Sequence, residues 1–402
     1  MTVASYNAVD IAIVGGGLVG ASLALGLAGS GRSIALIEAA AAPAGEPSWD
    51  ERCIALNHAS HRIFEALGVW AELAPLAAPI RSTHISERGR FGVARFTAAE
   101  AGLAALGYNL PVRALGEILM RRAARQADVQ TWCPARVEAL TSREDGQRLT
   151  LEDGRTLDAR LVVAADGAGS AVRRLLGVDA EQRDYAQSAI VTAVRVTRPS
   201  DGCAYERFTP EGPIALLPKP GDACSLVWTT PTEQVAGRLA LDDAAFLALA
   251  QDAFGERLGL FTVLGRRQAW PLMRVISERL SAPRVLFIGN AAQSLHPVAA
   301  QGFNLGLRDV AALAELLAAA SGDPGDPALL AHYADQRARD RARVADFTDQ
   351  LVRLFSNRIP GLRSLRHLGL LAMDLAPPLK QAVMWQNLGF GAQTPRMARH
   401  PA

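Results

Sequence analysis

The sequence is poor in cysteine and lacks a long uninterrupted apolar run, and each absence excludes a class of protein. Its four cysteines, spread over 402 residues, show neither a Cys-x-x-Cys pair nor zinc-ligand spacing, so a disulfide-stapled module is excluded and no metal is expected. The best candidate for a membrane span, residues 362–379, contains charged residues and a Pro-Pro pair, and it falls short of the roughly 20 apolar residues that a span requires. The chain is therefore not expected to cross a bilayer.

An excess of charge and an export signal are also absent. The 42 basic residues balance 40 acidic ones, which gives a net charge of +2, and they form no block of Lys or Arg. This excludes a dedicated nucleic-acid binder, whose affinity depends on a basic surface. The first ten residues show neither a basic segment nor an apolar leader. We therefore expect a cytoplasmic protein with reduced thiols.

What the sequence does contain is a strand, a glycine-rich turn, a helix and a second strand in immediate succession. The two apolar strands are residues 10–14 and 33–37, and residues 21–28 between them favour a helix. The turn has the spacing Gly-x-Gly-x-x-Gly, at Gly15, Gly17 and Gly20. This order predicts a βαβ unit whose first turn binds a phosphate at the helix N-terminus.

Each residue type in this unit has a physical reason. Gly15 permits the tight turn, Gly17 lets backbone amides approach a pyrophosphate, and Gly20 lets the helix pack closely on the strand. Glu38, at the end of the second strand, is placed to accept hydrogen bonds from a ribose. The fingerprint predicts a bound dinucleotide, and by itself it does not distinguish FAD from NAD.

Two further apolar strands end in polar, glycine-containing turns. Residues 160–165 lead into Asp166-Gly167, and residues 284–288 lead into Gly289-Asn290. Ligands of open α/β sheets gather at the carboxyl ends of the strands, so we expect the three strand ends to converge on one crevice. The fold class that follows is α/β, with a Rossmann-like sheet assembled from separated segments.

The middle of the chain has a different pattern. Residues 186–196 and 202–230 alternate apolar and polar positions with a period of two, and residues 218–222 carry a turn signal. This alternation predicts an antiparallel β-sheet in a second domain. From residue 311 onward the apolar positions are spaced as in helices.

The segments around the three strand ends resemble the three fingerprints of the flavoprotein aromatic hydroxylases. They are residues 15–20, 165–173 and 289–309. Asn290, where most of that superfamily has Asp, and the run Leu295-His296-Pro297 are similar to the ubiquinone-biosynthesis branch. More narrowly, other segments resemble the bacterial 2-polyprenyl-6-methoxyphenol hydroxylases, and they lie at residues 85–89, 206–209, 212–213 and 224–228. The similarity covers nearly the whole chain.

This resemblance implies bound FAD with NADPH or NADH as the co-substrate. The cofactor contacts that carry over are Gly15, Gly17, Gly20, Glu38, Arg52, Arg113, Asp166, Gly167, Gly289, Asn290, Gly302 and Asn304. Arg52 matches an arginine beside the flavin, and Arg113 matches a further FAD contact more loosely; an ion pair at the surface is the alternative for both. A helix starting near Gly302 would stabilise a reduced flavin through its N-terminus, and an ordinary N-cap with a packing turn is the alternative reading.

No catalytic array can be assigned from spacing, because the flavin carries the chemistry in this family. The residues nearest to the expected active site are His296, Pro297 and Gln301. His296 lies inside a cofactor fingerprint, and a packed or turn-forming histidine before proline explains it equally well. The base that assists deprotonation of a phenol is not identified.

The resemblance implies an FAD-dependent monooxygenase that hydroxylates 2-polyprenyl-6-methoxyphenol with NAD(P)H and O2. The expected FAD-binding domain comprises residues 1–80, 107–179 and 271–335, the substrate domain comprises residues 81–106 and 180–270, and the C-terminal helical region comprises residues 336–402. Strand residues 213–218 are the candidate substrate wall, with a plain core strand as the alternative. Residues 351–390 would touch a membrane surface or a partner, or dock as core helix.

Several alternatives remain at this point. A hydroxylase acting on another ring position of the same pathway shares the three fingerprints. Another flavoprotein reaction, such as prenyl reduction, uses the same cofactor domain, although a halogenase Trp-x-Trp-x-Ile-Pro motif is missing. An FAD-bound scaffold subunit of a biosynthetic complex would bind flavin without substrate-stimulated NAD(P)H oxidation. The protein is expected to be a homo-oligomer.

Overall fold

A computed structural model describes residues 8–41, 52–90, 92–296, 301–355, 377–391 and 394–399. Its strands, in chain order, are β1 (Ala8–Val14), β2 (Ile34–Ile37), β3 (Cys53–Asn57), β4 (Ala78–Ile80), β5 (Ser82–Glu87), β6 (Val93–Thr97), β7 (Gly107–Pro111), β8 (Val129–Trp132), β9 (Val137–Arg143), β10 (Gly146–Leu151), β11 (Thr156–Ala164), β12 (Ala180–Val196), β13 (Cys203–Thr209), β14 (Gly212–Pro218), β15 (Ala223–Pro231), β16 (Phe261–Leu264), β17 (Gln268–Ser277), β18 (Ser281–Ala282), β19 (Val285–Phe287) and β20 (Gln293–Ser294).

The α-helices are α1 (Leu18–Leu27), α2 (His58–Ala66), α3 (Trp70–Leu73), α4 (Val112–Ala123), α5 (Ala171–Leu175), α6 (Val235–Ala240), α7 (Asp243–Phe254), α8 (Gln301–Ala319), α9 (Pro327–Phe355) and α10 (Pro377–Asn387). Short 3₁₀ turns lie at Ala74–Leu76, Ala99–Ala101, Thr232–Gln234, Gly289–Ala291 and Arg396–Ala398.

The first sheet has the strand order β18-β19-β11-β1-β2-β8, and the β19, β11, β1, β2 and β8 strands run parallel. Three stretches of the chain that are far apart in sequence therefore lie side by side. The predicted α/β class and the assembly of this sheet from separated segments are confirmed.

Both faces of the parallel sheet are covered, which explains why β1 reads as a continuous apolar run. Ile11 and Ile13 pack into a core with helices α1, α4 and α8, whereas Ala12 and Val14 pack into a second core on the opposite face. The hairpin β9–β10, which extends β11, contributes to that second core.

The second sheet is antiparallel over most of its width, with the order β20-β17-β12-β15-β14-β13-β5-β6 and β16 beside β12. The alternating segments of the sequence form β12 to β15, and the turn at residues 218–222 joins β14 to β15. One face of this sheet packs against α7 around Trp228 and Phe246. The expected boundary at residue 270 falls within β17, and β20 also joins this sheet.

A small third sheet, β3-β7-β4, contacts both larger ones, since Leu56 and Leu110 belong to a core of the parallel sheet and β4 contacts β14. Asn109 on β7 donates hydrogen bonds to the carbonyl of Pro218 (2.9 Å) and to the hydroxyl of Ser225 (3.4 Å). The face of the antiparallel sheet that carries Ser225 is therefore turned toward β3 and β7, away from α7.

The C-terminal helices pack against both large sheets. On α10, Met384 and Leu388 contact Phe96 and Phe208 of the antiparallel sheet. Residues 356–376 of the expected membrane or partner segment lie outside the described residues. Within the described ranges, no helix combines the length and apolar character that a membrane span demands.

The packing of α7 on the antiparallel sheet can be tested by truncation. Phe246 is fully buried, so we expect Phe246→Ala to lower the free energy of unfolding by about 3–5 kcal/mol, through lost burial and a residual cavity. Leu249 on the same helix is 38% exposed, and Leu249→Ala should cost about 1 kcal/mol or less. Urea denaturation measures both values. Equal losses would contradict the packing described for α7.

Candidate functional site

The three predicted strand ends meet at one edge of the parallel sheet. Val14 is paired with Ala164, and Ala164 is paired with Phe287, so β1, β11 and β19 end at the same level. Gly15 donates its backbone N–H to Ile37 at the end of β2 (2.8 Å), which brings Glu38 to the same edge. The turns that follow these strands therefore form one continuous rim.

Close backbone packing accounts for two glycines of the first turn. Gly15 has φ +105°, and a Cβ there would lie 2.5 Å from the carbonyl oxygen of Ala165. A Cβ on Gly20 would lie 1.8 Å from the carbonyl oxygen of Gly15. Both glycines are thus required by the protein itself, because β1, α1 and the turn after β11 touch one another there.

The third glycine faces open space. A Cβ on Gly17 would meet no atom within 4 Å, and Gly17 is the N-cap of α1. No side chain caps this helix and no acidic residue lies in its first turn, whereas Asn57 caps α2 and Asp242 caps α7. The N-terminus of α1 therefore offers unpaired N–H groups and partial positive charge to an anion.

Glu38 closes the turn from the side. Its Oε2 accepts the backbone N–H of Gly16 (2.6 Å), and its Oε1 accepts that of Ala40 (2.7 Å). The carboxylate is thereby fixed next to the glycine turn. A contact between Glu38 and a ribose stays a prediction.

The second turn also presents groups that fit a ligand. Asp166 accepts the N–H of Val172 through Oδ2 (3.1 Å), while its buried Oδ1 has no hydrogen-bond partner among the described residues. Gly167 has φ +84° and borders open space. A buried carboxylate oxygen without a donor is costly, so a bound hydroxyl or amide at this position would complete the site.

The third turn is locked to the first by small residues. A Cβ on Gly289 would come within 3.0 Å of Val19 on α1, and a Cβ on Gly306 of α8 would lie 3.0 Å from the same side chain. Helices α1 and α8 can therefore both approach the end of β19. Asn290, the next residue, is exposed at this rim.

A buried ionic network holds the third turn, at Gly289, to helices α8 and α9. Asp309 on α8 accepts the backbone N–H of Gly289 (3.0 Å), the side-chain amide of Gln293 (2.7 Å) and Nε of Arg337 on α9 (2.7 Å). Asp340 accepts from Arg308 (3.0 Å) and pairs with Arg337 (2.9 Å). Although burial alone would raise it, the guanidiniums of Arg308 and Arg337 hold the pKa of Asp340 below its ordinary value. The sequence places Gln293, Arg308 and Asp309 inside the third fingerprint without an individual role, and nothing in it pointed to Arg337 or Asp340.

The start of α8 connects the third fingerprint to the small sheet. Asn304 accepts the N–H of Asn57 (3.0 Å) and donates to the carbonyl of Ala55 (3.0 Å), as a neighbouring strand would. Asn304 thus positions β3, and its contact with the cofactor stays a prediction. A Cβ on Gly302 would meet no atom within 4 Å, and Gln301 is buried at the first position of the helix.

The two predicted arginines lie together at one end of the small sheet. The N–H of Val112 donates to the carbonyl of Arg52 (2.9 Å), which places Arg113 and Arg52 next to each other. Arg113 forms an ion pair with Glu117 on α4 (2.8 Å). The exposed guanidinium of Arg52 lies 5.1 Å from the ring centre of Trp270 on β17. Their role as flavin contacts remains a prediction.

His296 is buried where the two large sheets meet. Its ring packs edge-on against Tyr185 of β12, with 5.0 Å between ring centres, and burial lowers the pKa of His296 to about 4. The imidazole is therefore neutral near pH 7. Tyr185 and Arg183 both donate to Asp349 on α9, at 3.4 and 3.0 Å. Pro297, the second active-site candidate, lies outside the described residues.

The residues at this rim fit FAD. An uncapped helix N-terminus, an open position beside Gly17, a buried carboxylate oxygen lacking a donor at Asp166 and an exposed amide at Asn290 provide partners for a pyrophosphate and for sugar hydroxyls. No group of three or more His, Cys, Asp or Glu side chains in the described ranges is arranged to hold a metal ion.

Comparison with known proteins agrees with this geometry. A family model described as FAD binding domain matches residues 8–348. The ubiquinone hydroxylase UbiL of Rhodospirillum rubrum is 40% identical over 400 residues, covering 97% of this chain and 92% of the relative. The 3-demethoxyubiquinol 3-hydroxylase of Escherichia coli is 35% identical over 387 residues, covering 95% of this chain and 98% of that protein.

A solved structure shows the same fold. The p-nitrophenol 4-monooxygenase PnpA from Pseudomonas putida DLL-E4 superimposes with a TM-score of 0.79, covering 95% of this chain and 98% of that chain. The sequence identity is 16%, so this similarity concerns the fold alone.

The open position beside Gly17 makes a specific prediction. We expect Gly17→Val to fold and to lose bound FAD, because the new side chain enters the space for the pyrophosphate without meeting protein atoms. Flavin absorbance per mole of purified protein and circular dichroism measure the two effects. Gly237→Val on α6, where a Cβ also meets nothing, is the matched control. Full flavin content in Gly17→Val would refute the assignment of this turn.

The buried network makes a second prediction. Asp309→Asn removes a charge that faces the fully buried Arg337, so we expect the free energy of unfolding to fall by about 3–5 kcal/mol. Asp335→Asn, at an exposed position of α9, should change it by about 0.5 kcal/mol or less. Chemical denaturation compares the two variants. A small effect at Asp309 would show that the network does not hold the third turn.

Proposed function

The chain belongs to the FAD binding domain family, and from that premise we propose that it hydroxylates 2-polyprenyl-6-methoxyphenol to the corresponding 1,4-benzoquinol in ubiquinone biosynthesis. It is an FAD-dependent monooxygenase, for which NAD(P)H and O2 are the co-substrates. The observation that carries the proposal is the similarity to a ubiquinone hydroxylase over nearly the full length of both chains.

The work is divided between the cofactor and the chain. Bound FAD would supply the redox chemistry, which consists of hydride acceptance from NAD(P)H and reaction with O2. The rim formed by Gly17, Asp166 and Asn290 would hold its phosphates and sugar hydroxyls, and Arg52 would lie beside its ring system. The chain has to place a phenol ring against the flavin and exclude water from the reaction.

The antiparallel sheet provides a surface suited to an apolar substrate. On β14, Ala215 and Leu217 keep solvent contact, whereas Ile214 and Leu216 are buried under α7. The predicted wall at residues 213–218 is therefore a core strand on one side and open on the side that faces β3 and β7. This supports an apolar wall for the prenyl chain, which needs a long path free of polar groups.

A second ring position is favoured by one specific finding. The Escherichia coli relative is named for 3-hydroxylation of a demethoxyubiquinol. Hydroxylation at another carbon of the same ring system is accordingly the alternative function, and the position of the new oxygen decides between them.

Isotope labelling tests the function directly. The FAD-loaded protein, incubated with NADPH, heavy dioxygen and a short-chain 2-prenyl-6-methoxyphenol, should give a product that carries one heavy oxygen atom para to the original hydroxyl. Mass spectrometry with fragmentation locates the atom. Flavin-depleted Gly17→Val protein is the negative control.

Other products would contradict the proposal in distinguishable ways. A heavy oxygen at another carbon would establish the alternative ring position. Hydrogen peroxide as the sole product of NADPH oxidation would reject this phenol as the substrate. Bound flavin without any NADPH oxidation would favour the scaffold subunit.

A further inference from the structure

One row of residues crosses the middle of the antiparallel sheet on the face turned toward β3 and β7. The strand register aligns Val191, Val227, Ala215, Glu206 and Ile85 on five adjacent strands. All five are partly accessible to solvent. Side chains at the centre of a sheet with both faces packed would be buried, so this row lines an open cleft.

The opposite face of the same strands is closed. Ile190, Trp228, Ile214 and Leu216, which alternate with members of the row, are buried with α7. Tyr205, the neighbour of Glu206 on β13, also contacts this core, with 5.8 Å between its ring centre and that of Phe254. Glu206 therefore points away from α7 and into the cleft.

Glu206 is the one acidic or basic member of an otherwise aliphatic row. No hydrogen bond or ion pair joins its carboxylate to any residue in the described part of the chain. Its side chain is partly buried and keeps some solvent contact, and this burial raises the pKa of Glu206 to about 7. A deeply placed carboxylate that still touches solvent lines a cavity, and its charged form requires a hydrogen-bond donor.

The charged groups of the packed elements lie elsewhere. On β5, Glu87 is on the same face and is paired with Phe208, one row away from Glu206. On α10, Lys380 is engaged with Glu100 (2.7 Å). The remaining ionisable groups of β5, β6 and β13 are on the face toward α7, where Tyr205 contacts the ring of Phe254 and Arg207 donates to the carbonyl of Phe254; they are His84, Arg95, Cys203, Tyr205 and Arg207. On this face, strands β14 and β15 carry apolar residues together with Ser225 and Thr229.

We propose that Glu206 is the catalytic base of the cleft: its carboxylate accepts the hydrogen bond, and then the proton, of the substrate's phenolic hydroxyl. The proposal rests on the function proposed above and names the residue that prepares the phenol for attack. Aliphatic neighbours bind the ring and its apolar substituent, while the single carboxylate fixes the end that carries the hydroxyl.

The proton that Glu206 accepts is returned within the same turnover. The phenol O–H bond breaks, its proton passes to Glu206, and the electron pair left on oxygen raises the electron density of the ring carbon that receives the oxygen atom from O2. When the ring becomes aromatic again, its displaced hydrogen leaves as a proton and Glu206 returns its own proton to the phenolate oxygen. NAD(P)H supplies the two electrons that reduce the other oxygen atom to water, as in any monooxygenation of this class.

The sign of the pH dependence follows from the identity of the active form. The ionised carboxylate is the base, so the rate of hydroxylation should rise through about pH 7 and level off above it. We expect Glu206→Gln to lower this rate about a hundredfold and to abolish the rise, because the amide cannot accept a proton. Glu206→Asp should keep part of the rate, and its rate should still rise with pH.

Two controls separate chemistry from structure. Glu206→Gln should keep full FAD and should unfold at a higher temperature than the wild type at about pH 8, with the difference vanishing below about pH 4.5, because a raised pKa makes the ionised carboxylate destabilising. In Glu87→Gln, which changes a carboxylate on the same face one row away, the rate of hydroxylation should still rise through about pH 7. Both variants are assayed as FAD-loaded protein with NADPH, O2 and 2-prenyl-6-methoxyphenol.

The outcomes distinguish this proposal from the function on which it rests. Glu206 is supported as the base if the wild type hydroxylates the phenol and the rise of the rate through about pH 7 is lost in Glu206→Gln but kept in Glu87→Gln. If the rate still rises with pH in Glu206→Gln, or if this rise is lost in Glu87→Gln instead, the assignment of Glu206 is overturned while the proposed function stands. A wild type that consumes NADPH without oxygenating the phenol overturns the proposed function and the role of Glu206 together.

Discussion

The carboxylate of Asp309 holds together the segments from which the cofactor side of the site is built. It receives a backbone N–H at the end of β19, a side-chain amide at the start of β20 and a guanidinium from α9, while its own helix, α8, packs on α1 through Gly306 and Val19. A buried charge of this kind requires all of its partners, since an unpaired one costs several kcal/mol. The rim, the two large sheets and α9 are therefore coupled through one side chain.

The two large sheets contribute in different ways. The parallel sheet offers backbone amides, a helix terminus and glycines at the ends of its strands, which suits phosphates and sugar hydroxyls. The antiparallel sheet offers side chains from the middle of its strands, and there the register selects which ones enter the cleft. Asn304 joins the two regions by hydrogen bonding to β3 as another strand would. This arrangement lets a charged cofactor and an apolar substrate meet without sharing the same surface.

The cofactor rim could largely be read from the sequence because its determinants are local. Gly15, Gly17 and Gly20 lie between an apolar strand pattern and a helix pattern, which together indicate a phosphate-binding turn, and the apolar runs before the three turns predicted parallel strands that the structure contains. The parts that were missed depend on distant residues. Asp309 meets Arg337, 28 residues later, and the partner of Asn304 lies 247 residues earlier. Pairs of this kind leave no periodic pattern in the sequence.

The class of fold, the family resemblance and the glycine turns could be predicted from the amino-acid order, since hydrophobic period and glycine spacing act over a few neighbouring residues. Which face of β13 is open depends on how distant segments pack against it. Glu206 and Arg207 are adjacent and both polar in the sequence, but α7 covers the side of Arg207, while the small sheet leaves the side of Glu206 accessible. The chemical role of a strand residue depends on what packs against each face, and the chain settles that only when distant segments come together.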